Sequence, residues 1–411
     1  LTDGAQLDAK WGIDLGAGDT FTVYGQTDDA ETMGKLTACI PGAIDWSKLT
    51  DEEKEEADWY YNFRNYCPGI GMKGYFTITE GKKKYICRDE GDVIINGGNI
   101  KVKAGPNASG IGGGRDLGYP RNEIKGGNIT INGGIVDAST GSNWVNNLDN
   151  GVGIGTDVYE SGGNITINGG DVTAIAGVTE GSVKSFAPGG NGIGVRSKGT
   201  VTVNGGNINA STIFKGAGIG GYYADVFIHG GSIEAIGRGY ADGYAHAGIG
   251  SGKSITIDGG VVHAYGKDCA AGIGGINARY RDYYPENASL LITGGEIHAS
   301  AEGNAAAIGG ANKCNYGSIT IIGSAVKSLT VEYGAGIGAS AGQSVGDITI
   351  TDADFSLLNC RDAIIGGAPL EEGNRILIQN SRIMSMYEKG TDSGLFVGKN
   401  GTLIVENSEI R

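Results

Sequence analysis

Short segments in which apolar and polar residues alternate recur along most of the chain. The clearest copies read ITINGG at 129–134 and at 165–170, and weaker copies continue as far as LIVENS at 403–408. Alternation with a period of two is typical of a β-strand with one buried face, so Ile129 and Ile131 are predicted to point inward. The Asn-Gly-Gly that ends the clearest copies tolerates positive φ and predicts a turn there.

Two further short elements follow each copy before the next copy begins. A second alternating piece supplies inward residues such as Val136 and Ala138, and a third element is a Gly-Ile-Gly tripeptide such as that centred on Ile249. Three short strands close a triangular coil, and stacked coils place equivalent strands about 4.8 Å apart. No helical period and no Leu skeleton accompany the repeat. The pattern predicts an all-β chain: a right-handed, single-stranded parallel β-helix of about ten three-strand coils.

The repeat predicts a single solenoid domain over residues 1–411, with two departures. Residues 41–68 begin with a Thr-x-x-Glu capping box at Thr50 and Glu53 and continue without glycine up to Pro68. This predicts a short helical insertion that covers the edge of the first coils. Residues 155–287 carry long loop inserts between coils.

Composition and charge restrict the classes of partner. Of 411 residues 78 are Gly and 7 are Pro, without the G-X-Y period of collagen. Lys and Arg total 32 against 46 for Asp and Glu, a net charge of −14 that repels phosphate backbones. We expect no nucleic-acid partner and, without a run of about 20 apolar residues, no membrane insertion. The first residues lack the profile of a signal peptide, which leaves a cytosolic protein and a mature secreted form both open.

The cysteines show neither CxxC spacing nor a dense framework, so no metal site and no cofactor are predicted. They are Cys39, Cys67, Cys87, Cys269, Cys314 and Cys360. One disulfide among the first three stays open for an oxidising compartment. The last three are predicted to be small buried hydrophobes.

ITINGG followed by xVxA and then AGIGG resembles the glycine-rich right-handed parallel β-helix repeats of secreted and surface proteins of Gram-positive gut bacteria, within the pectate-lyase-like superfamily. The resemblance extends from TFTVYG at 20–25 to the end of the chain. That superfamily includes polysaccharide lyases, glycoside hydrolases, sugar-transferring enzymes and non-catalytic polysaccharide binders. The resemblance implies a secreted or cell-surface bacterial protein that meets carbohydrate, and it does not choose among chemistries.

The third strand predicts one candidate groove. Alternation directs its Ile inward and its flanking glycines outward, so stacked glycines would form a flat floor between loop walls. The alternative is that these glycines serve tight corners or packing. Aromatic rings stack on sugar faces. The predicted substrate-binding residues are Tyr222, Tyr223, Tyr240, Tyr244, His246, Tyr280, Tyr283 and Tyr284.

Carboxylates accompany these aromatic residues in the loops. Glycoside hydrolysis uses two carboxyl groups about 5 to 10 Å apart, one as acid and one as base or nucleophile. The candidate catalytic residues are Asp242, Asp268, Asp225, Asp282 and Glu286. Asp242 and Asp268 enter the third strand in consecutive coils and are the first pair to test. Solvated surface acids are the alternative in a chain this acidic.

The second strand predicts an outward polar ladder, which we rank below the loops. Its members are Asp137, Thr173, Asn209, Glu234, His263 and His298. Glu234 beside His263 is suited to acid–base chemistry. The leading hypothesis is a secreted carbohydrate-active enzyme, a glycoside hydrolase or a glycosyl-transferring enzyme acting on an oligo- or polysaccharide. The alternatives are a non-catalytic glycan-binding or adhesive surface module and a bare structural stalk.

Overall fold

The computed structural model is a stack of coils built from three long parallel sheets. It describes residues 1–9, 12–39, 50, 67–72, 75–79, 82–86, 89–105, 108–113, 125–140, 151–156, 163–177, 190–195, 198–213, 216–239, 246–251, 253–275, 288–312, 314–323, 326–340, 343–360, 363–366, 374–385, 395–397 and 400–411.

We number the sheets by the order in which each coil visits them. Sheet 1 has 12 strands, Thr20–Val23, Asp92–Ile95, Ile129–Ile131, Asn164–Ile167, Gly199–Val203, Ala224–Ile228, Ser254–Ile257, Ser289–Ile292, Ser318–Ile322, Ile348–Thr351, Arg375–Gln379 and Thr402–Glu406. Sheet 2 has 13 strands, Gln6–Asp8, Lys35–Cys39, Asn99–Ala104, Ile135–Thr140, Asp171–Ala176, Asn207–Thr212, Ser232–Arg238, Val261–Lys267, Glu296–Asn304, Val326–Tyr333, Asp354–Cys360, Arg382–Ser385 and Glu409–Ile410. Sheet 3 has 9 strands, Ile154–Thr156, Ile193–Val195, Ile219–Gly221, Ala247–Ser251, Ala271–Gly274, Ile308–Gly309, Ala335–Gly338, Ala363–Gly366 and Leu395–Phe396.

Two small sheets lie near the N terminus. Ile13–Asp14 pairs in parallel with Ile70–Gly71, and single bridges through Ile111 join that pair to sheet 3. Tyr75–Thr79 and Lys82–Ile86 form an antiparallel hairpin that the repeat pattern did not predict.

Parallel register stacks like residues on like residues along the solenoid. Ile129 lies opposite Ile165, and Ile131 lies opposite Ile167. These isoleucines are at most 1% exposed and belong to one core that runs through the stack. Burying each of them contributes about 1.5–3 kcal/mol, which explains why the alternation in sequence predicts the inward face correctly.

The corner between sheets 1 and 2 depends on the last glycine of the Asn-Gly-Gly segment. Gly134 has a φ of 90°, and a Cβ built on it would lie 2.6 Å from the carbonyl oxygen of Gly98 in the preceding coil. Side-chain amides form a ladder beside this corner. Asn132 Nδ2 donates to Asn96 Oδ1 at 2.7 Å, and Asn168 Nδ2 donates to Asn132 Oδ1 at 2.6 Å. The corner therefore needs both residue types, and the prediction of a turn is confirmed.

The prediction of a parallel β-helix is confirmed, with some differences in detail. Sheets 1 and 2 contain 12 and 13 strands, more than about ten, because strands such as Gln6–Asp8 join the stack where the repeat is weak in sequence. The predicted helical insertion at 41–68 lies almost wholly outside the described residues. In the part of the chain that the structure describes, we find no helix both long enough and apolar enough to cross a bilayer.

The described cysteines are free thiols. Cys67, Cys314 and Cys360 are buried, whereas Cys269 is half-buried in a turn. The expectation of buried thiols is therefore confirmed for Cys314 and Cys360. Cys67 forms no disulfide here, and the side chains of the other two N-terminal cysteines lie outside the described part.

Candidate functional site

Five of the thirteen residues predicted for catalysis or binding lie in the described part of the chain. These are Asp225, Asp268, Tyr222, Tyr223 and His246. Outside it lie Asp242, Asp282, Glu286, Tyr240, Tyr244, Tyr280, Tyr283 and Tyr284. The pairing of Asp242 with Asp268 therefore stays a prediction.

Asp268 occupies the tight turn that leads from sheet 2 to sheet 3. Its φ is 54°, and the φ of Cys269, the next residue, is 71°. The Asp268 carboxylate is 54% exposed and pairs with Nη1 of Arg238 at 3.2 Å. Arg238 ends the sheet-2 strand of the preceding coil, so this ion pair links two neighbouring coils at the turn.

Asp225 belongs to a column of side-chain hydrogen bonds at the start of the sheet-1 strands. It lies in register between Thr200 and Ser254. It accepts hydrogen bonds from Ser254 Oγ and Lys253 Nζ, and in the same column Thr200 Oγ1 donates to Asn164 Oδ1 at 2.9 Å. These contacts assign Asp225 a role in joining coils.

Two of the predicted binding residues meet beside sheet 3. The rings of Tyr222 and His246 are 5.9 Å apart and inclined at 66°, an edge-to-face contact. His246 is only 1% exposed, whereas Tyr223 is 37% exposed. Of these three residues, Tyr223 is the one that presents its ring to solvent.

The glycines of the third strand do not form the open floor that the sequence predicted. Gly218, Gly220 and Gly248 are buried. A Cβ on Gly220 would lie 1.8 Å from the carbonyl oxygen of Gly250, and one on Gly248 would lie 2.7 Å from the Tyr265 backbone nitrogen. Their missing side chains would point at the backbone of adjacent strands and not at solvent. The prediction of an exposed glycine floor was wrong, and the packing alternative accounts for these glycines.

The clearest concave surface described lies on the outward face of sheet 2. This sheet-2 cleft has a volume of about 530 Å³ and crosses four consecutive coils. Its lining residues are Asp171, Val172, Thr173, Asn207, Ile208, Asn209, Ser232, Ile233, Glu234, His263 and Tyr265. Short side chains at the first position of each strand, such as Asn207 and Ser232, leave room beside the longer groups. Its lining therefore combines hydrogen-bonding groups with the two acid–base residues of the predicted ladder.

Imidazole rings stack along the end of this cleft. His263 and His298, in register on neighbouring strands, have ring centroids 4.6 Å apart and planes inclined at 4°. His298 Nε2 lies 3.0 Å from Glu296 Oε1. That hydrogen bond, helped by the charges of His298, Lys327 and His263, lowers the pKa of the Glu296 carboxyl despite some desolvation.

Register gives the cleft an acid–base pair. Glu234 lies opposite His263 on the next strand, with backbones about 4.8 Å apart. A carboxylate and an imidazole at this spacing can share the delivery and removal of one proton at a bound substrate. Tyr265, two residues along the strand from His263, adds an aromatic surface at the rim.

Sequence reasoning found the ladder but ranked it second, and it missed the row beside it. Asp171, Asn207 and Ser232 lie opposite one another at the start of consecutive strands, and Asn207 Nδ2 donates to Asp171 Oδ1 at 2.7 Å. The available signal was their position directly after each Asn-Gly-Gly turn. A column of small polar residues at that point leaves space in the surface.

Comparisons with known proteins agree with the architecture. A family model described as beta helix repeat matches residues 129–157, 201–221, 228–253, 255–277 and 290–312. The chain is similar to that family over these coils, and the match fits a pectate-lyase-like fold. No curated protein and no solved structure matches the chain.

Proposed function

We propose that this chain is a secreted or cell-surface carbohydrate-active protein that binds an extended oligo- or polysaccharide in the sheet-2 cleft. The observation that carries the proposal is a cleft across four coils that combines many hydrogen-bonding side chains with Glu234 and His263. A strand-to-strand spacing of about 4.8 Å is close to the length of one sugar unit in an extended glycan, so each coil can offer one set of contacts. The resemblance to β-helix repeats of secreted proteins supports the extracellular location.

The chemistry we propose is cleavage or transfer of a glycosidic bond. Glu234 acts as the acid or base, and His263 exchanges the proton with the leaving or attacking oxygen. Tyr265 stacks on a sugar face at the rim, and the Asn and Thr side chains of the ladder bind hydroxyl groups. The stack of His298 on His263 limits the orientations of the catalytic imidazole.

Turnover and binding should separate in matched variants. We expect Glu234→Gln and His263→Asn to keep glycan binding and to lower product release by a factor on the order of 10². Glu302→Gln, which changes an exposed carboxylate at the far end of the strand Glu296–Asn304, is the control. Chromatography of products and calorimetry on the same glycan panel give the two readouts.

The rival function is a non-catalytic glycan-binding or adhesive module. It is favoured if wild-type protein binds a glycan, releases no product, and loses affinity when Tyr265 or Glu234 is changed. The rival location is the loop groove beside Tyr222 and His246, supported by their edge-to-face contact. Loss of turnover in Asp268→Asn with full turnover in Glu234→Gln would move the reaction there.

A further inference from the structure

The charge of the sheet-2 cleft restricts the glycan that it can accept, an inference that rests on the function proposed above. Asp171 and Glu234 line the cleft, and its lining residues include neither lysine nor arginine. A third carboxylate, Glu296, lies in the same sheet, one strand beyond His263. A polyanion placed here would meet like charges without counter-charges in the lining.

These three carboxylates are regularly spaced along the solenoid. They lie on the strands Asp171–Ala176, Ser232–Arg238 and Glu296–Asn304, which alternate with strands that carry no carboxylate in the cleft. Two coils correspond to about 9.6 Å along the stack. Asn207 and Asn209 supply uncharged hydrogen-bonding groups between the first two carboxylates.

We propose that the cleft is specific for a β-1,4-linked amino-sugar polymer with free amino groups and that it rejects polyuronates. Successive units of an extended β-1,4-linked chain are turned over, so every second unit presents its amino group on the same side. The length of that two-unit repeat is close to the spacing of two coils. Protonated amino groups therefore meet Asp171, Glu234 and Glu296 in turn, while the intervening units contact asparagine amides.

Nearby cations decide which carboxylate contributes most. The charge of Lys327 acts on Glu296, and His298 is hydrogen-bonded to it, so Glu296 is partly neutralised. Asp171 has a hydrogen bond from the neutral amide of Asn207, which leaves its charge in place. Asp171 and Glu234 should contribute more to recognition of an ammonium group than Glu296.

The test measures binding of three hexamers of equal length by calorimetry at pH 6 and physiological salt. These are a deacetylated β-1,4-glucosamine oligomer, its neutral N-acetylated counterpart and an oligogalacturonate. We expect the deacetylated oligomer to bind on the order of tenfold more tightly than the neutral one, from two or three exposed ion pairs. The oligogalacturonate should not bind.

Variants separate specific recognition from general attraction to an acidic protein. Asp171→Asn and Glu234→Gln should each lower the preference for the deacetylated oligomer about threefold, with Glu296→Gln smaller. Glu302→Gln removes one negative charge from the same face outside the cleft and should leave the preference unchanged. An equal loss in Glu302→Gln would overturn the inference.

Failure of the inference can be told from failure of the proposed function. Tighter binding of the neutral oligomer or of the uronate, with affinity still sensitive to Asp171→Asn, overturns amino-sugar specificity and leaves a glycan site in the cleft. If none of the three hexamers binds, or none responds to the cleft variants, the amino-sugar inference falls. Absence of binding and turnover across the wider glycan panel would also remove the proposed cleft function.

Discussion

Close approach of neighbouring coils requires glycine at particular third-strand positions. Gly220 has a φ of 129°, and its absent Cβ would lie 1.8 Å from the Gly250 carbonyl oxygen. Neither an L side chain at this φ nor a backbone oxygen at this distance can be accommodated without moving a strand.

Replacing this glycine should destabilise the protein far more than replacing an unconfined one. We expect Gly220→Ala to lower the free energy of unfolding by about 3 kcal/mol or more. Gly323→Ala is the control, because Gly323 has a φ of 80° but nothing within 4 Å of its Cβ position. Chemical denaturation measures both, and equal losses would show that backbone conformation alone, not the close contact, demands glycine.

Two buried thiols should make stability depend on alkaline pH. Desolvation by burial raises the pKa of Cys314 and of Cys360 from 9.0 to about 12. Because the unfolded thiols ionise first, their contribution is complete below about pH 9 and is lost as the pH rises toward 12. Denaturation midpoints at pH 8 and pH 10.5 should fall less in the double variant Cys314→Ala, Cys360→Ala than in wild type. An identical fall in both proteins would contradict this assignment.

At the scale of single elements, polar columns connect the coils as well as the apolar core does. Asn168 donates to Asn132 at 2.6 Å and accepts from Asn204 at 2.7 Å. The Asp225 column at the start of sheet 1 does the same on the other side of the strand. Such columns hold each strand in register with the next.

The position of an asparagine in its column should determine its contribution. Asn168→Ala removes two ladder hydrogen bonds and should cost about 1–2 kcal/mol of unfolding free energy. Asn96→Ala removes one, its acceptance from Asn132 at 2.7 Å, and should cost about half as much. Chemical denaturation of the two variants gives the ratio, and equal costs would mean that ladder bonds are not additive.

At the scale of the whole molecule, a solenoid has no contacts between distant coils, so its stability is local. Central strands such as Asn164–Ile167 alternate between buried and exposed residues. The final sheet-1 strand, Thr402–Glu406, is half-exposed or exposed throughout. The ends of the stack therefore contribute less burial per coil than the centre.

Hydrogen exchange should follow this gradient. We expect amides of Val201 and Val203 to be protected for much longer than those of Leu403 and Val405, because end coils open without disrupting the centre. Exchange followed by mass spectrometry of peptides measures this directly. Uniform protection along the chain would instead indicate one cooperative unit and contradict the local account.

The sequence alone was sufficient to predict the architecture and the inward residues. Alternation of Ile and Thr, followed by Asn-Gly-Gly, specifies strand and corner locally, and identical register repeats that choice from coil to coil. The N-terminal strands were harder to predict, since Gln6–Asp8 pairs with Lys35–Cys39 without the repeat motif. Their place depends on the edge of the stack that is already formed.

Only the tertiary structure decided where the surface is concave and what each polar group contacts. Asp225 and Asp268 looked alike in sequence, yet one is held by Ser254 and Lys253 and the other by Arg238. The sheet-2 cleft depends on the sizes of side chains from four coils at once, which no single repeat encodes. Local patterns determine backbone geometry, whereas the shape and charge of a surface are properties of residues distant in sequence.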